Sequence, residues 1–204
     1  MIVIINTGIG NFKSIKNMLS RIGEKSIISN NVKEIEHADR LILPGVGSFD
    51  KGMQALKDNG LIDVLKYKAL SENVNLLGIC LGMQMLAECS EEGILPGLGI
   101  IKGDVKKFDF TKSCEKRKIP HMGWNYVIPK RDSILFNNYD IIPRFYFTHS
   151  YWFDCEDEAN ILAKTPYGNE FTTSVRANNI YGVQFHPEKS HRFGFQLLRN
   201  FISC

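Results

Sequence analysis

The chain has no apolar run approaching the roughly 18 residues that cross a bilayer, no C-x-x-C pair, no low-complexity tract and no internal repeat. The first absence excludes a helical membrane span. The second argues against a zinc finger or ribbon, and the odd cysteine count (Cys80, Cys89, Cys114, Cys155, Cys204) argues against a closed disulfide framework. Charge of one sign is scarce too. The formal net charge is +3, and the one basic cluster, residues 112–118, is interrupted by Glu115, too mixed for a nucleic-acid footprint. Ile2-Val3-Ile4-Ile5 opens the chain without a basic leader. The expectation is a soluble cytoplasmic protein whose thiols stay reduced, each serving either as buried packing or as a nucleophile.

What is present is the composition of an ordinary globular protein, 44% hydrophobic and 23% charged. At 204 residues it is long enough for one full-sized core. The first half alternates short apolar runs with helical periodicity, the pattern of βα units around a largely parallel sheet. Strands are expected at Ile2–Ile5, Glu24–Ser29, Arg40–Leu43 and Asn75–Ile79, and helices at Asn11–Ile22, Lys51–Asn59, Leu61 to about Glu72, and Leu81–Glu88. Between the strands at Glu24–Ser29 and Arg40–Leu43 only a short turn at His37–Ala38 is expected. From Gly93 onward shorter strands follow (Gly99–Phe108, Tyr126–Ile128, Arg144–His149, Ile161–Thr165, Thr172–Ala177, Ile180–Phe185), read as a mixed or antiparallel extension of the same sheet and closed by a helix at Phe193–Phe201. No linker divides the halves, so residues 1–204 are expected to form one α/β domain.

Gly78-Ile79-Cys80-Leu81-Gly82 carries the most chemistry: a G-x-C-x-G between a buried strand and a helix, with no residue to spare at the turn. A nucleophile there is held exposed in a strained conformation, and the flanking glycines remove side chains that would collide. The following helix would aim its free N–H groups at the sulfur, and the Leu81 N–H would serve a developing oxyanion. The bland alternative is a buried core thiol, which the turn context makes the weaker reading. A second segment, Val183-Gln184-Phe185-His186-Pro187-Glu188, ends a strand in H-P-E. Residues two apart at a strand end point the same way, so Glu188 can accept the Nδ1–H of His186 while Nε2 faces a thiol. Taken alone, His-Pro is more often a structural turn. A third segment, Pro44-Gly45-Val46-Gly47-Ser48-Phe49, lacks the Lys-Ser/Thr of a phosphate loop. An ordinary turn and an oxyanion-binding role for Gly45, Val46 and Gly47 both fit it, and the second is preferred.

These residues resemble the class I, triad-type glutamine amidotransferases, and within them the glutaminase subunits of imidazole glycerol phosphate synthase, the HisH type. The likeness runs along the chain through PGVGSF (Pro44–Phe49), GICLGMQ (Gly78–Gln84), PHMGWN (Pro120–Asn125), FYFTHSYW (Phe145–Trp152) and VQFHPEKS (Val183–Ser190). It implies a three-layer, flavodoxin-like fold with a mostly parallel sheet. It implies that Cys80 attacks the glutamine side-chain amide, that His186 carries the proton to departing ammonia, and that Glu188 holds His186. Gln84, Thr148, His149, Ser150 and Tyr151 would hold the substrate's α-amino and α-carboxylate groups. Asn11, Met122, Gly123, Trp124, Asn125 and Lys189 would meet a HisF-type (β/α)8 barrel that receives the ammonia, although core burial is the common fate of a Trp. No metal or cofactor is implied. Two stretches depart from the pattern. Asn6-Thr7-Gly8-Ile9-Gly10-Asn11 stands where the family usually opens with Asp-Tyr-Gly-x-Gly-Asn, and His191-Arg192-Phe193-Gly194 is closer to paralogues that supply ammonia to a sugar amidotransferase of surface-polysaccharide synthesis.

Overall fold

The computed structural model describes residues 1–111, 115–130 and 133–204, so Cys114 and part of the basic cluster lie outside the described residues. In chain order the elements are β1 (Ile2–Ile5), α1 (Phe12–Arg21), β2 (Ser26–Ser29), α2 (Val32–Glu36), β3 (Arg40–Gly45), α3 (Phe49–Asp58), α4 (Leu61–Leu70), β4 (Asn75–Cys80), α5 (Leu81–Gln84) and β5 (Cys89–Ser90). They continue with β6 (Gly103–Lys107), β7 (His121–Tyr126), β8 (Ile128–Pro129), β9 (Arg144–His149), β10 (Tyr151–Cys155), β11 (Ile161–Tyr167), β12 (Asn169–Ala177), β13 (Ile180–Val183) and α6 (His191–Ile202).

The expected parallel sheet is there. Eight strands run in the order β2-β1-β3-β4-β13-β12-β11-β8. The first five are mutually parallel, and β12, β11 and β8 extend them antiparallel. Because β1, β3 and β4 are covered on both faces, they read as apolar runs whose alternate residues serve two cores. Val3, Ile5, Leu41 and Leu43 pack with Phe49, Met53, Leu56, Leu61 and Leu65 of α3 and α4. Ile2, Ile4 and Ile42 pack with Ile15 and Leu19 of α1 and with Leu197, Leu198 and Phe201 of α6. The i, i+3, i+4 spacing of Ile15, Met18 and Leu19 is what gives α1 one buried stripe. The result is the three-layer helix–sheet–helix sandwich that the resemblance implies.

Five expectations are corrected. The helix after the elbow spans Leu81–Gln84 rather than reaching Glu88. The carbonyls of Met85, Leu86, Ala87 and Glu88, which would have continued it, instead accept from the N–H groups of Leu98, Ile100, Gly99 and Gly97. That capture also delays the strand expected from Gly99, which begins at Gly103. The second half does not all join the main sheet: β5, β6 and β10 form a separate three-stranded sheet, and β7 and β9 form a two-stranded one. The strand expected at Tyr126–Ile128 is the joint between β7 and β8. Between β2 and β3 a short helix, α2, was not foreseen; its N-cap Asn31 accepts the Lys33 N–H at 2.9 Å, a local cap that hydrophobic periodicity does not reveal.

Candidate active site

β4 ends at Cys80 and α5 begins at Leu81, so the chain reverses within one peptide. Cys80 sits at φ 54°, ψ −111°, a conformation costing an L-residue about 1–3 kcal/mol. The flanking glycines make the turn possible: a β-carbon on Gly82 would land on the Leu43 carbonyl oxygen, and one on Gly78 would lie 2.7 Å from the Gly82 carbonyl oxygen. The G-x-C-x-G spacing therefore reflects packing between an elbow and its neighbouring strand. Gly45, the last residue of β3, lies in register with Cys80. Beyond it Val46 and Gly47, the latter at φ +96°, line the same cleft as Cys80.

Cys80, only 6% exposed, opens into a cleft of about 360 Å³. Val46, Gly47, Leu81, Gln84 and His186, which follow β3, β4 and β13 of the main sheet, form one wall, and Thr148, His149, Ser150 and Tyr151 of the β9–β10 segment form the other. Every residue expected to touch substrate is thus on one wall or another, and Gly45 lies behind them. Two more line the cleft that the sequence reading did not name, Glu92 and Pro120. A larger cavity of about 620 Å³, lined by Glu91, Lys106 and Trp152 among others, contains none of these groups.

The H-P-E segment pairs as expected but for a different reason. It is not a strand end: Pro187–Lys189 form a 3-10 turn headed by His186, and that turn folds Glu188 back so that Oε1 lies 2.8 Å from His186 Nδ1. Ser190 fastens the turn to β9, its hydroxyl donating to His186 O at 2.5 Å and accepting the Tyr146 N–H at 3.0 Å, while the His186 N–H donates to Tyr146 O at 2.9 Å. Both side chains are sealed, at 1% and 2% exposure. Burial alone would lower the imidazole pKa, but the Cys80 sulfur on one side and the Glu188 carboxylate on the other outweigh it and carry His186 up to about 10. Nδ1 is taken by Glu188; Nε2 is buried without a hydrogen-bond partner among the described residues and faces the cysteine. This arrangement can take a proton from a thiol and return it to a leaving group.

The opposite wall also holds buried histidines, and they behave differently. His149 Nδ1 donates to Tyr151 O at 2.7 Å, and its Nε2 lies 3.0 Å from His121 Nδ1, whose own Nε2 meets the Asn125 amide at 3.3 Å. With no anion in contact among the described residues, burial prevails and pushes His149 down to about 3 and His121 down to about 4. Gln84 is less free than expected. Its Nε2 donates to Tyr151 O at 2.9 Å and to Gln184 Oε1 at 3.0 Å, leaving only its carbonyl oxygen for a ligand. Glu92, whose carboxylate accepts the Phe49 N–H at 2.8 Å, has its pKa raised chiefly by burial.

The residues expected at a partner surface divide in two. Met122 and Trp124 are 62% and 43% exposed on the outer face of β7, so Trp124 is not a core residue. Its ring stacks on His191 with centroids 5.7 Å apart, and Lys189 Nζ lies 5.5 Å from the Tyr146 ring beside it. Gly123 holds φ +125° between Met122 and Trp124, and Asn11 stands at the N-cap of α1. Asn125 instead points inward, donating to Pro166 O at 3.0 Å as well as to His121. Tyr126, 50% exposed on the same outer face as Trp124, was missed although the period-2 alternation of the strand would have found it.

A strained cysteine elbow facing a His–Glu pair on this sheet is the arrangement of triad amidotransferases, and the family description "Glutamine amidotransferase class-I" matches residues 3–204. The chain belongs to the class I glutamine amidotransferase family. At the level of fold it superimposes on a crystal structure of a glutamine amidotransferase (TM-score 0.75, 20% identity, 98% of this chain and 97% of that one) and on PurLQS from Thermotoga maritima (TM-score 0.77, 16% identity, 99% and 97%). Within the family it is similar to imidazole glycerol phosphate synthase subunit HisH 2 of Methanococcus maripaludis, at 56% identity over 99% of this chain and 98% of that protein. It is similar also to subunit HisH 2 of Pseudomonas aeruginosa (47%, 99% and 98%) and to subunit HisH of Leptospira interrogans (45%, 100% of each).

Proposed function

We propose that the chain, acting as one domain over residues 1–204, is the glutaminase subunit of an imidazole glycerol phosphate synthase, with Cys80, His186 and Glu188 as its catalytic triad. The Cys80 thiolate attacks the side-chain amide carbon of glutamine; the oxyanion that forms is met by backbone N–H groups at Leu81 and in the Gly45–Gly47 segment. His186 gives its proton to the amide nitrogen, the C–N bond breaks, and ammonia leaves a glutamyl thioester on Cys80. Water, deprotonated by His186, attacks the thioester, releasing glutamate and restoring the thiol. Glu188 keeps the proton-bearing Nδ1 turned away, so that Nε2 serves the substrate. The carboxylate of Glu92 and the Thr148–Tyr151 wall suit the α-ammonium and α-carboxylate of glutamine.

The observation that carries this reading is the 2.8 Å His186–Glu188 pair, with His186 and Cys80 lining the same cleft. The exposed Met122, Trp124 and Tyr126, with Lys189 and Asn11 at the rim, suit a barrel partner of the HisF type that takes up the ammonia. The close relatives named as imidazole glycerol phosphate synthase subunits support that choice. The test pairs Cys80→Ser with the barrel. Glutamine-dependent synthesis is expected to vanish while ammonia-dependent synthesis persists; survival of the former sinks the triad. Recovery from cells of a sugar-modifying enzyme instead of the histidine-pathway barrel would keep the chemistry and replace the partner.

A further inference from the structure

Buried amides connect the nucleophile to the far wall of the cleft. Tyr151 O can only accept, so the Gln84 amide must turn its NH2 group towards it at 2.9 Å. The same nitrogen donates to Gln184 at 3.0 Å, which fixes that end of Gln184 as its carbonyl oxygen. The other end of the Gln184 amide must then be the NH2, and it lies 3.7 Å from Cys80 Sγ, within reach of a hydrogen bond to sulfur. Gln184 has no exposed surface, so water does not compete for that donor.

We propose that Gln184 is a positioning residue for the glutaminase reaction: its amide N–H holds the Cys80 sulfur and stabilises it as the thiolate, with Gln84 and the Tyr151 carbonyl fixing the orientation of that amide. The inference rests on Cys80 being the nucleophile. A donor to an anion in a dry site is worth more than one between neutral groups, so its effect falls on the reactive form of the sulfur and on the chemical step. Glutamine binding changes little, because Thr148–Tyr151 lie on the opposite wall and Gln84 stays anchored by the Tyr151 carbonyl.

The test replaces the amide in two ways. Gln184→Glu keeps the shape and still accepts from Gln84 but removes the N–H; Gln184→Met removes both polar ends. With the partner bound, kcat is expected to fall about tenfold in each, with KM for glutamine within about twofold. Alkylation of Cys80 by iodoacetamide, followed on its own peptide by mass spectrometry, is expected to need higher pH than in the unsubstituted protein. A folded variant with unchanged kcat and an unchanged alkylation profile overturns the proposal. In the unsubstituted protein the side-chain amide resonance of Gln184 is expected to shift as Cys80 ionises and to stay constant in Cys80→Ala. A resonance that ignores the ionisation overturns the proposal even if no Gln184 variant folds. Loss of alkylation by a glutamine-analogue reagent in Cys80→Ser, with Gln184 variants normal, would retain the triad and reject this role alone.

Discussion

His186 and His149 line the same cleft, both almost fully buried, yet one is carried up to about 10 and the other pushed down to about 3. Burial acts on both in the same direction. The difference lies in the partners: His186 stands between a sulfur and a carboxylate, whereas His149 touches a peptide carbonyl and a second neutral ring. One wall of the cleft is thereby built for proton transfer and the other for fixed, uncharged shape. A buried histidine takes its chemistry from what it touches, and depth alone predicts nothing about its charge.

Glu188→Gln should break the comparison most severely. It leaves the 3-10 turn but removes the anion behind His186, and a loss in kcat of roughly 1,000- to 10,000-fold is expected, as for a triad that has lost its orienting carboxylate. In the parent protein kcat is expected to decline on the alkaline side as His186 loses its proton near pH 10, and in Glu188→Gln that limb should move towards neutrality. An unmoved alkaline limb would mean that another group controls it.

The opposite wall makes the next largest prediction. His149 and His121 titrate lower in the fold than when unfolded, so below about pH 6.5 the unfolded chain binds more protons and the fold loses stability on acidification. Between pH 7 and pH 5 the loss should be of the order of 2–4 kcal/mol, read by urea unfolding, and smaller in His121→Gln. For His186 the sign is opposite: its stabilising contribution is complete below about pH 6.5 and fades as pH rises through about 10.

β7 sharpens the contrast further, since its inward residues His121 and Asn125 join the neutral wall while its outward Met122 and Trp124 face solvent. Trp124→Ala should weaken binding of the barrel partner by about 2 kcal/mol, roughly thirtyfold by calorimetry, without altering the acid-stability profile. The smallest effect is expected at the exposed Lys106–Asp154 pair, 2.5 Å apart, with side chains 44% and 40% accessible. Lys106→Ala should cost less than about 1 kcal/mol and leave both walls unchanged.

Much of this was legible in the chain. The alternating βα pattern fixed the parallel sheet, because strands covered on both faces must be apolar throughout. G-x-C-x-G disclosed the elbow, because no other residues fit where Gly82 meets Leu43. The separate small sheets were not legible, since alternation shows that a strand has two faces but not which strand it joins. Gln84 was placed at the cleft correctly, but its commitment to Tyr151 and Gln184 was hidden because those partners lie 67 and 100 residues away. Glu92 and Ser190 carry no local pattern that separates them from surface residues.

The sequence by itself determined the βα core, the sharp turn at Cys80 and the local His186–Glu188 pairing, because each depends on residues within a few positions of one another. Tertiary structure alone decided that this pair faces the sulfur, that Gln184 reaches the Cys80 sulfur, and that the pKa of His149 is pushed down while that of His186 is carried up. Those outcomes depend on distances between remote segments and on water excluded from between them, and neither quantity is written in any one stretch of chain.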